Sequence, residues 1–313
     1  VTDPAEERVF SRDLTDPWNS RRAHARAVQL GLEHRVSRGV YLPSESWQGL
    51  HARERHLLLA RSVAETRRFT PVLSHWSAAA VHGLPVLGEW PAVVHMTSGV
   101  TSGGRSRNGV VKHSRALNDA DVVELDGLTV TSAERTVIDL AASSSFVAGV
   151  VTADAALHVP RKHAHDPLTT AARLLESWNR MLPFRGHRRA FEAIEFAVLK
   201  ADSPLESVSR VTMREIGCPQ PELQVSFFDR GGFVAEVDFC WTGFRAVGEA
   251  DGESKYLDPG LRGGRTAEQV VLDEKYREDR LRALGLTPAR WNWRTARDPA
   301  ALRAKLEAAG LRW

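Results

Sequence analysis

Cysteine is scarce: Cys218 and Cys240 are the only two in 313 residues. That excludes a disulfide-stapled secreted scaffold, and the pair reads as reduced thiols of a cytoplasmic protein. No zinc site is expected from these cysteines with histidines, because structural zinc ligands cluster at short spacings. Long apolar runs are also missing. The longest mainly apolar stretch, Leu140 to Ala153, lies between Asp139 and Asp154, and its 14 residues fall short of the roughly 20 that cross a membrane. The opening VTDPAEERVF carries acids and no apolar segment, so no secretory signal is expected there. Its start at Val1 leaves the front of the chain open. The sequence has no P-loop, no dinucleotide-binding glycine fingerprint and no Ser-His-Asp order, which argues against those enzyme classes.

The remaining composition is globular, with 26% charged and 42% hydrophobic residues. At about 150 residues per domain, two domains are expected. The net charge is only +3, yet it is unevenly spread. Basic residues outnumber acidic ones 16 to 11 over residues 1–120, against 9 to 10 over 121–200 and 17 to 18 over 201–313. The first third also holds eight of the twelve histidines. Such an excess suits phosphate contact, and equally a solvated basic surface, so position has to decide.

Asp16-Pro17 opens a helix that ends near Gly31, and residues 33–43 turn into a basic, Gly-containing strand. A helix followed by such a strand has the shape of a winged helix-turn-helix, truncated at its front. Helices are expected over 50–68 and from Ser74 to Val81, and strands around Val93–Thr97 and Val110–His113. Thr131-Ser132-Ala133-Glu134 is a capping box opening a helix to about Ala142. His75, His82 and His95 are scattered along the chain and read as core or polar-contact histidines rather than metal ligands. The polar stretch Pro160–Gly186 suggests a domain boundary near residue 185, separating residues 1–185 from 186–313. Beyond it the pattern is helix, helix from Ser203-Pro204, three-stranded meander, helix, strand, helix.

Strand alternation puts Glu236 and Asp238 on one face, with Val237, Phe239 and Trp241 on the other. On the next strand Glu249 and Asp251 share a face, roughly 6–7 Å apart. Like charges on neighbouring strands call for neutralisation, which a divalent cation supplies through carboxylate oxygens. A solvent-facing acidic surface explains the same pattern equally well.

The order helix-Glu, strand-Asp, strand-Glu resembles the PD-(D/E)XK nuclease superfamily. The segments VDFCW, VGEADG and EKYREDRLRALG, with a Trp-bearing strand behind them, are similar to the Vsr-like domains of bacteria over roughly residues 187–313. This resemblance implies a restriction-endonuclease-like α/β domain, a mixed sheet flanked by helices. It implies Glu206, Asp238, Glu249 and Lys255 in catalysis, and Asp238, Glu249 and Asp251 as ligands of Mg²⁺ or Mn²⁺. The superfamily's lysine falls at position 251, which is Asp here, so Lys255 or Lys275 would supply the charge from a shifted place. Glu206 is also explained by capping alone. Arg277 and Arg280 suit a phosphate backbone, or ion pairs with Glu274 and Glu278 at helical spacing.

RGVYLP, LSHWSAAAVHGLP and TSAERTVIDLA, in that order over about residues 20–145, resemble the AbiEi-type antitoxin proteins of bacterial type IV toxin–antitoxin systems. That resemblance implies an α+β first half with a winged helix-turn-helix. Arg35, Arg38, Arg105 and Arg107 would then meet backbone phosphates, which position a protein without reading sequence. Together these readings give a DNA-binding protein with an Mg²⁺-dependent endonuclease domain. A cognate toxin and a second copy of the chain are its further expected partners, and no membrane is. The alternative is a non-catalytic antitoxin-like regulator whose nuclease-like half is a scaffold.

Overall fold

The computed structural model describes residues 7–10, 17–99, 109–159, 166–251 and 266–313. It divides into two compact units: residues Val1–Thr152 with Thr169–Phe191, and Ala153–Leu168 with Glu192–Trp313.

The first unit runs β1 (Val9–Phe10), α1 (Pro17–Gln29), β2 (Glu33–Ser37), β3 (Val40–Pro43), α2 (Ser44–Gly49), α3 (Ala52–Glu65), β4 (Val72–Leu73), α4 (His75–His82), β5 (Val94–Ser98), β6 (Val110–Ser114), β7 (Val122–Leu125), β8 (Leu128–Thr131) and α5 (Ala133–Ser143). Then come α6 (Phe146–Leu157), within which the boundary falls, α7 (Ala171–Met181) and α8 (His187–Phe196), whose first half belongs here. Residues 33–43, expected as one segment leading into a strand, form a hairpin. Gly39, at φ +78°, makes the tight reversal that the sequence pattern alone does not reveal. With β1 this hairpin is an antiparallel sheet, β1-β3-β2. A second, mixed sheet has the order β6-β5-β4-β8-β7, with β5/β6 and β4/β8 parallel. Val94 and Met96 of β5, Leu73, Val110 and Val130 pack against Ala60 and Val63 of α3 and Ala78 and Val81 of α4.

Two local expectations change. The cap of α5 is Ser132, whose Oγ accepts from Arg135 N at 3.3 Å, while Thr131 is bonded to the Thr136 hydroxyl at 2.7 Å. Glu134, expected to close a box with Thr131, instead accepts from Thr169 Oγ1 at 2.7 Å and pairs with Arg173 at 2.9 Å. The polar stretch before residue 186 contains α7, capped by Thr170, with Leu174 and Ser177 buried. Leu174, Leu175, Trp178 and Met181 follow a helical period, but the polar residues on either side of the helix obscure it in sequence.

Arg135, 1% exposed, holds this unit together electrostatically. Its Nε donates to Asp139 at 2.9 Å, and its Nη1 to Asp121 at 3.1 Å and to the Ala116 carbonyl at 3.0 Å. Arg115 and Arg180 reach the far oxygens of Asp139 and Asp121 at 3.2 and 2.9 Å. Even so, burial leaves the Asp139 carboxyl above its ordinary range.

The second unit adds α9 (Pro204–Glu215), β9 (Glu222–Asp229), β10 (Gly232–Trp241), β11 (Ala246–Ala250), α10 (Ala267–Ala283), β12 (Thr287–Trp291), α11 (Trp293–Ala296) and α12 (Pro299–Ala308). Its sheet is β12-β11-β10-β9: an antiparallel meander with β12 parallel to β11. Val234, Val237, Cys240 and Val247 pack with Leu281 of α10. Phe239 packs near Trp241 and Trp291, with ring centroids 6.2 and 5.4 Å away. Gly248 admits no side chain there, because a Cβ would sit 2.4 Å from Trp291. Trp291 Nε1 donates to Ser209 Oγ of α9 at 2.8 Å, tying sheet to helix. Asp154, at the end of α6, accepts from Arg210 at 2.8 Å, Ser207 Oγ at 2.7 Å and Val198 N at 2.7 Å.

The chain is therefore an α+β protein of mixed sheets flanked by helices. Both cysteines are free thiols. Among the described residues no helix is long and apolar enough to cross a membrane. Removing one partner of a buried ion pair strands the other charge, at a cost of about 3–5 kcal/mol. Arg135→Met is thus expected to destabilise the first unit by that amount in urea unfolding, whereas Arg61→Met, whose partner Asp126 is exposed, should cost under about 1 kcal/mol.

Candidate functional site

Glu206 enters the site because of how its helix begins. Ser203 caps α9, accepting from Glu206 N at 3.2 Å, and Pro204 occupies the first turn. The Glu206 side chain folds back, its Oε1 accepting from Ser203 Oγ at 2.8 Å and its Oε2 from Asp202 N at 3.0 Å. Capping is therefore real, and it is not the whole of what Glu206 does. Oε2 also accepts from Gln224 Nε2 of β9 at 2.7 Å, and the same amide nitrogen lies 3.4 Å from Asp238 Oδ1 of β10. Asp238 Oδ2 accepts from Ala250 N at 2.8 Å, which locks this carboxylate against β11.

Gln224 sits at φ +55°, a left-handed conformation that a non-glycine residue holds at some cost. Its amide bridges two carboxylates that would otherwise repel. No motif in the sequence marks Gln224. The signal was its place on the β9 face that alternates with Leu223 and Val225. Burial first, and then the charge of Asp238, push the Glu206 carboxyl up to about 7. Two acids that share one pocket repel unless one of them holds a proton, which is what the raised Glu206 carboxyl does.

Glu249 lies in β11, paired in register with Arg290 of β12. Its Oε2 is 2.8 Å from Arg290 Nε and 3.1 Å from Arg277 Nη2 of α10. Arg290 extends to Glu274 at 3.2 Å. Glu249 is 7% exposed, and its Oε1 has no hydrogen-bond partner among the described residues. One oxygen is neutralised by arginine; the other is a buried acceptor suited to a cation. Asp251 continues the strand, its N–H donating to the Trp291 carbonyl at 2.9 Å.

The other expected residues are dispersed. Glu236 is exposed and accepts from Ser226 Oγ at 3.2 Å. Arg277 and Arg280, for which pairing with Glu274 and Glu278 was one expectation, reach the sheet instead: Arg277 meets Glu249, and Arg280 grips Asp229 at 2.6 and 2.7 Å. Lys255, Arg105 and Arg107 lie outside the described residues. In the first unit Arg35 and Arg38 line a groove of about 910 Å³ with Arg21 and Arg67. Away from that groove's lining, two histidines read as scattered come together: His75 and His95 meet His113, their ligand atoms all within 4.8 Å of one another. Sequence distance concealed this, because β5 and β6 are adjacent only in the sheet.

The Glu206 carboxyl generates a pH prediction with a definite sign. Between its ordinary 4.5 and about 7, the folded protein holds a proton that the unfolded chain releases. Stability must fall as pH rises through that window. Glu206→Gln is expected to remove up to about 3 kcal/mol of that fall, measured as urea unfolding at pH 5 and pH 8.

No family model matches the chain. It is 29% identical over 248 residues to uncharacterized protein MT2308 of Mycobacterium tuberculosis strain CDC 1551 / Oshkosh, and to the same extent to uncharacterized protein Rv2248 of strain H37Rv. Each alignment covers 77% of this chain and 82% of the relative.

Proposed function

We propose that the second unit is a restriction-endonuclease-like, Mg²⁺-dependent nuclease, and that the first, through a winged-helix-like front, brings it to DNA in a bacterial defence or toxin–antitoxin setting. One observation carries this reading: Glu206 of α9 and Asp238 of β10 share one amide donor in a desolvated pocket, with the Glu206 carboxyl raised to about 7. The neighbouring strand adds Glu249, whose buried Oε1 has no partner among the described residues. Asp238 and Glu249, with Asp251 beside them, are the residues that would hold Mg²⁺. When bound, the ion supplies an activated water and charge stabilisation at a scissile phosphodiester. Glu206, titrating near neutrality, can take or return a proton at its carboxylate oxygens. Gln224 orients both acids, and Ala250 N fixes Asp238. Lys255 is carried into this reading by resemblance alone.

The DNA half of the proposal is supported by the groove lined by Arg21, Arg35, Arg38 and Arg67, whose guanidinium groups suit phosphate oxygens. A second reading, a non-catalytic regulator, is favoured by the two arginines on Glu249 Oε2 and by Asp251 at the superfamily's lysine position.

Nicking of supercoiled, mismatched and single-stranded DNA with Mg²⁺ or Mn²⁺ separates the two. Cleavage that falls at least 100-fold in Asp238→Ala/Glu249→Ala supports the nuclease; absent cleavage with DNA still shifted in a gel supports the regulator. For the groove, Arg35→Ala/Arg38→Ala is expected to weaken duplex binding at every sequence tested. It should also lower the salt slope of log K by about 2, one for each lost phosphate contact.

A further inference from the structure

The first unit carries a cluster that none of this chemistry uses. His95 of β5 and His113 of β6 lie on one face of the parallel pair, since His95 is in register with Val111 and His113 with Thr97. The opposite face of β5, with Val94 and Met96, is committed to the core. His75, the first residue of α4, stacks on His113 with ring centroids 3.6 Å apart. His75 reaches that position at φ +51°, a left-handed conformation unusual for a residue with a Cβ. His75 is 2% exposed and His95 8%, while His113 is half-buried.

We propose that His75, His95 and His113 bind one divalent transition-metal ion of the zinc class through three imidazole nitrogens, with water in the fourth position. His95 Nδ1 and His113 Nε2 are 2.9 Å apart, sharing one hydrogen bond. Two nitrogens on a tetrahedral zinc, each bonded at 2.0–2.1 Å, stand about 3.3 Å apart. Replacing the shared proton by the ion therefore needs only a small separation of the rings. The third nitrogen, within 4.8 Å of both, completes a set of three protein ligands that leaves one position open.

Thr97 is the independent observation. It is 2% exposed, lies on the histidine face opposite His113, and its Oγ1 has no hydrogen-bond partner among the described residues. A buried hydroxyl left in that state calls for an ion or a water beside it. The rings also have the support that ligating histidines need. Ser74 Oγ is 3.0 Å from His75 Nδ1, a partner for one ring, and Ser77 Oγ accepts from the backbone N–H of His95 at 2.9 Å, which fixes the strand that carries the second. Burial pushes His95 and His113 down to about 4 and His75 well below the usual imidazole range. All three therefore offer lone pairs rather than charges at neutral pH. Arg115 and Arg135, whose charges act on His75, are each paired with Asp139 and so repel an incoming ion weakly.

The test is titration of the metal-stripped full chain with Co²⁺, read by its visible absorption, and with Zn²⁺ against a chromophoric chelator. One equivalent is expected to bind, with at least 100-fold weaker binding in His113→Ala and, separately, in His95→Gln. His113→Ala, at a half-buried position, keeps the test open should His95→Gln fail to fold; circular dichroism checks both. Asp238→Ala/Glu249→Ala should bind Zn²⁺ as the parent does, so failure of the nuclease reading leaves this result untouched. The proposal is overturned if the parent binds neither ion, or if His113→Ala binds both as tightly as the parent.

Discussion

A carboxylate taken out of water has to be paired, hydrogen-bonded or protonated, because desolvating a bare charge costs more than any single contact returns. Both units are organised around that constraint. In the first, Asp121 and Asp139 are clasped by Arg135 and backed by Arg115 and Arg180. In the second, Asp154 is clasped by Arg210, and Glu249 Oε2 by Arg277 and Arg290. These guanidinium groups suit the task because they are always charged and present several donors in a fixed fork.

Glu206 solves the same problem differently. Its donors are a backbone N–H, a hydroxyl and an amide, none of them charged, and its pocket is shared with Asp238. The result is a carboxyl pushed up to about 7 by burial and by the charge of Asp238. The His75, His95 and His113 cluster is the counterpart among bases. Burial keeps those rings neutral, and the geometry gathers their nitrogens instead of dispersing them to separate partners.

Much of the secondary structure was legible because its signals are local. Ser203-Pro204 announced α9, the alternation around Val237 and Phe239 announced β10, and Gly31 and Gly83 closed their helices at positive φ. The α7 helix escaped notice although Leu174, Leu175, Trp178 and Met181 follow a helical period, because the polar stretches flanking it read as a domain boundary. The α5 cap was misplaced by one residue because Thr131 and Ser132 are both competent caps, and only the pairing of Thr131 with Thr136 decides between them. The TSAERTVIDLA segment that supported a family resemblance is, in the structure, largely a stability device built on Arg135 and Asp139.

By itself the sequence determined the meander carrying Asp238 and Glu249, a property of neighbours along the chain, while Glu206 became a candidate through a family resemblance. Tertiary structure decided what those acids face. Gln224 reaches Glu206 from 18 residues away, Arg290 lies beside Glu249 only because β12 pairs with β11, and Arg280 leaves its own helix for Asp229. The three histidines meet because a parallel strand pair and a helix start converge. Periodicity fixes which face a side chain takes, but charge neutralisation and ligand geometry depend on distances in space. Those distances exist only once the sheets are paired and the helices are packed.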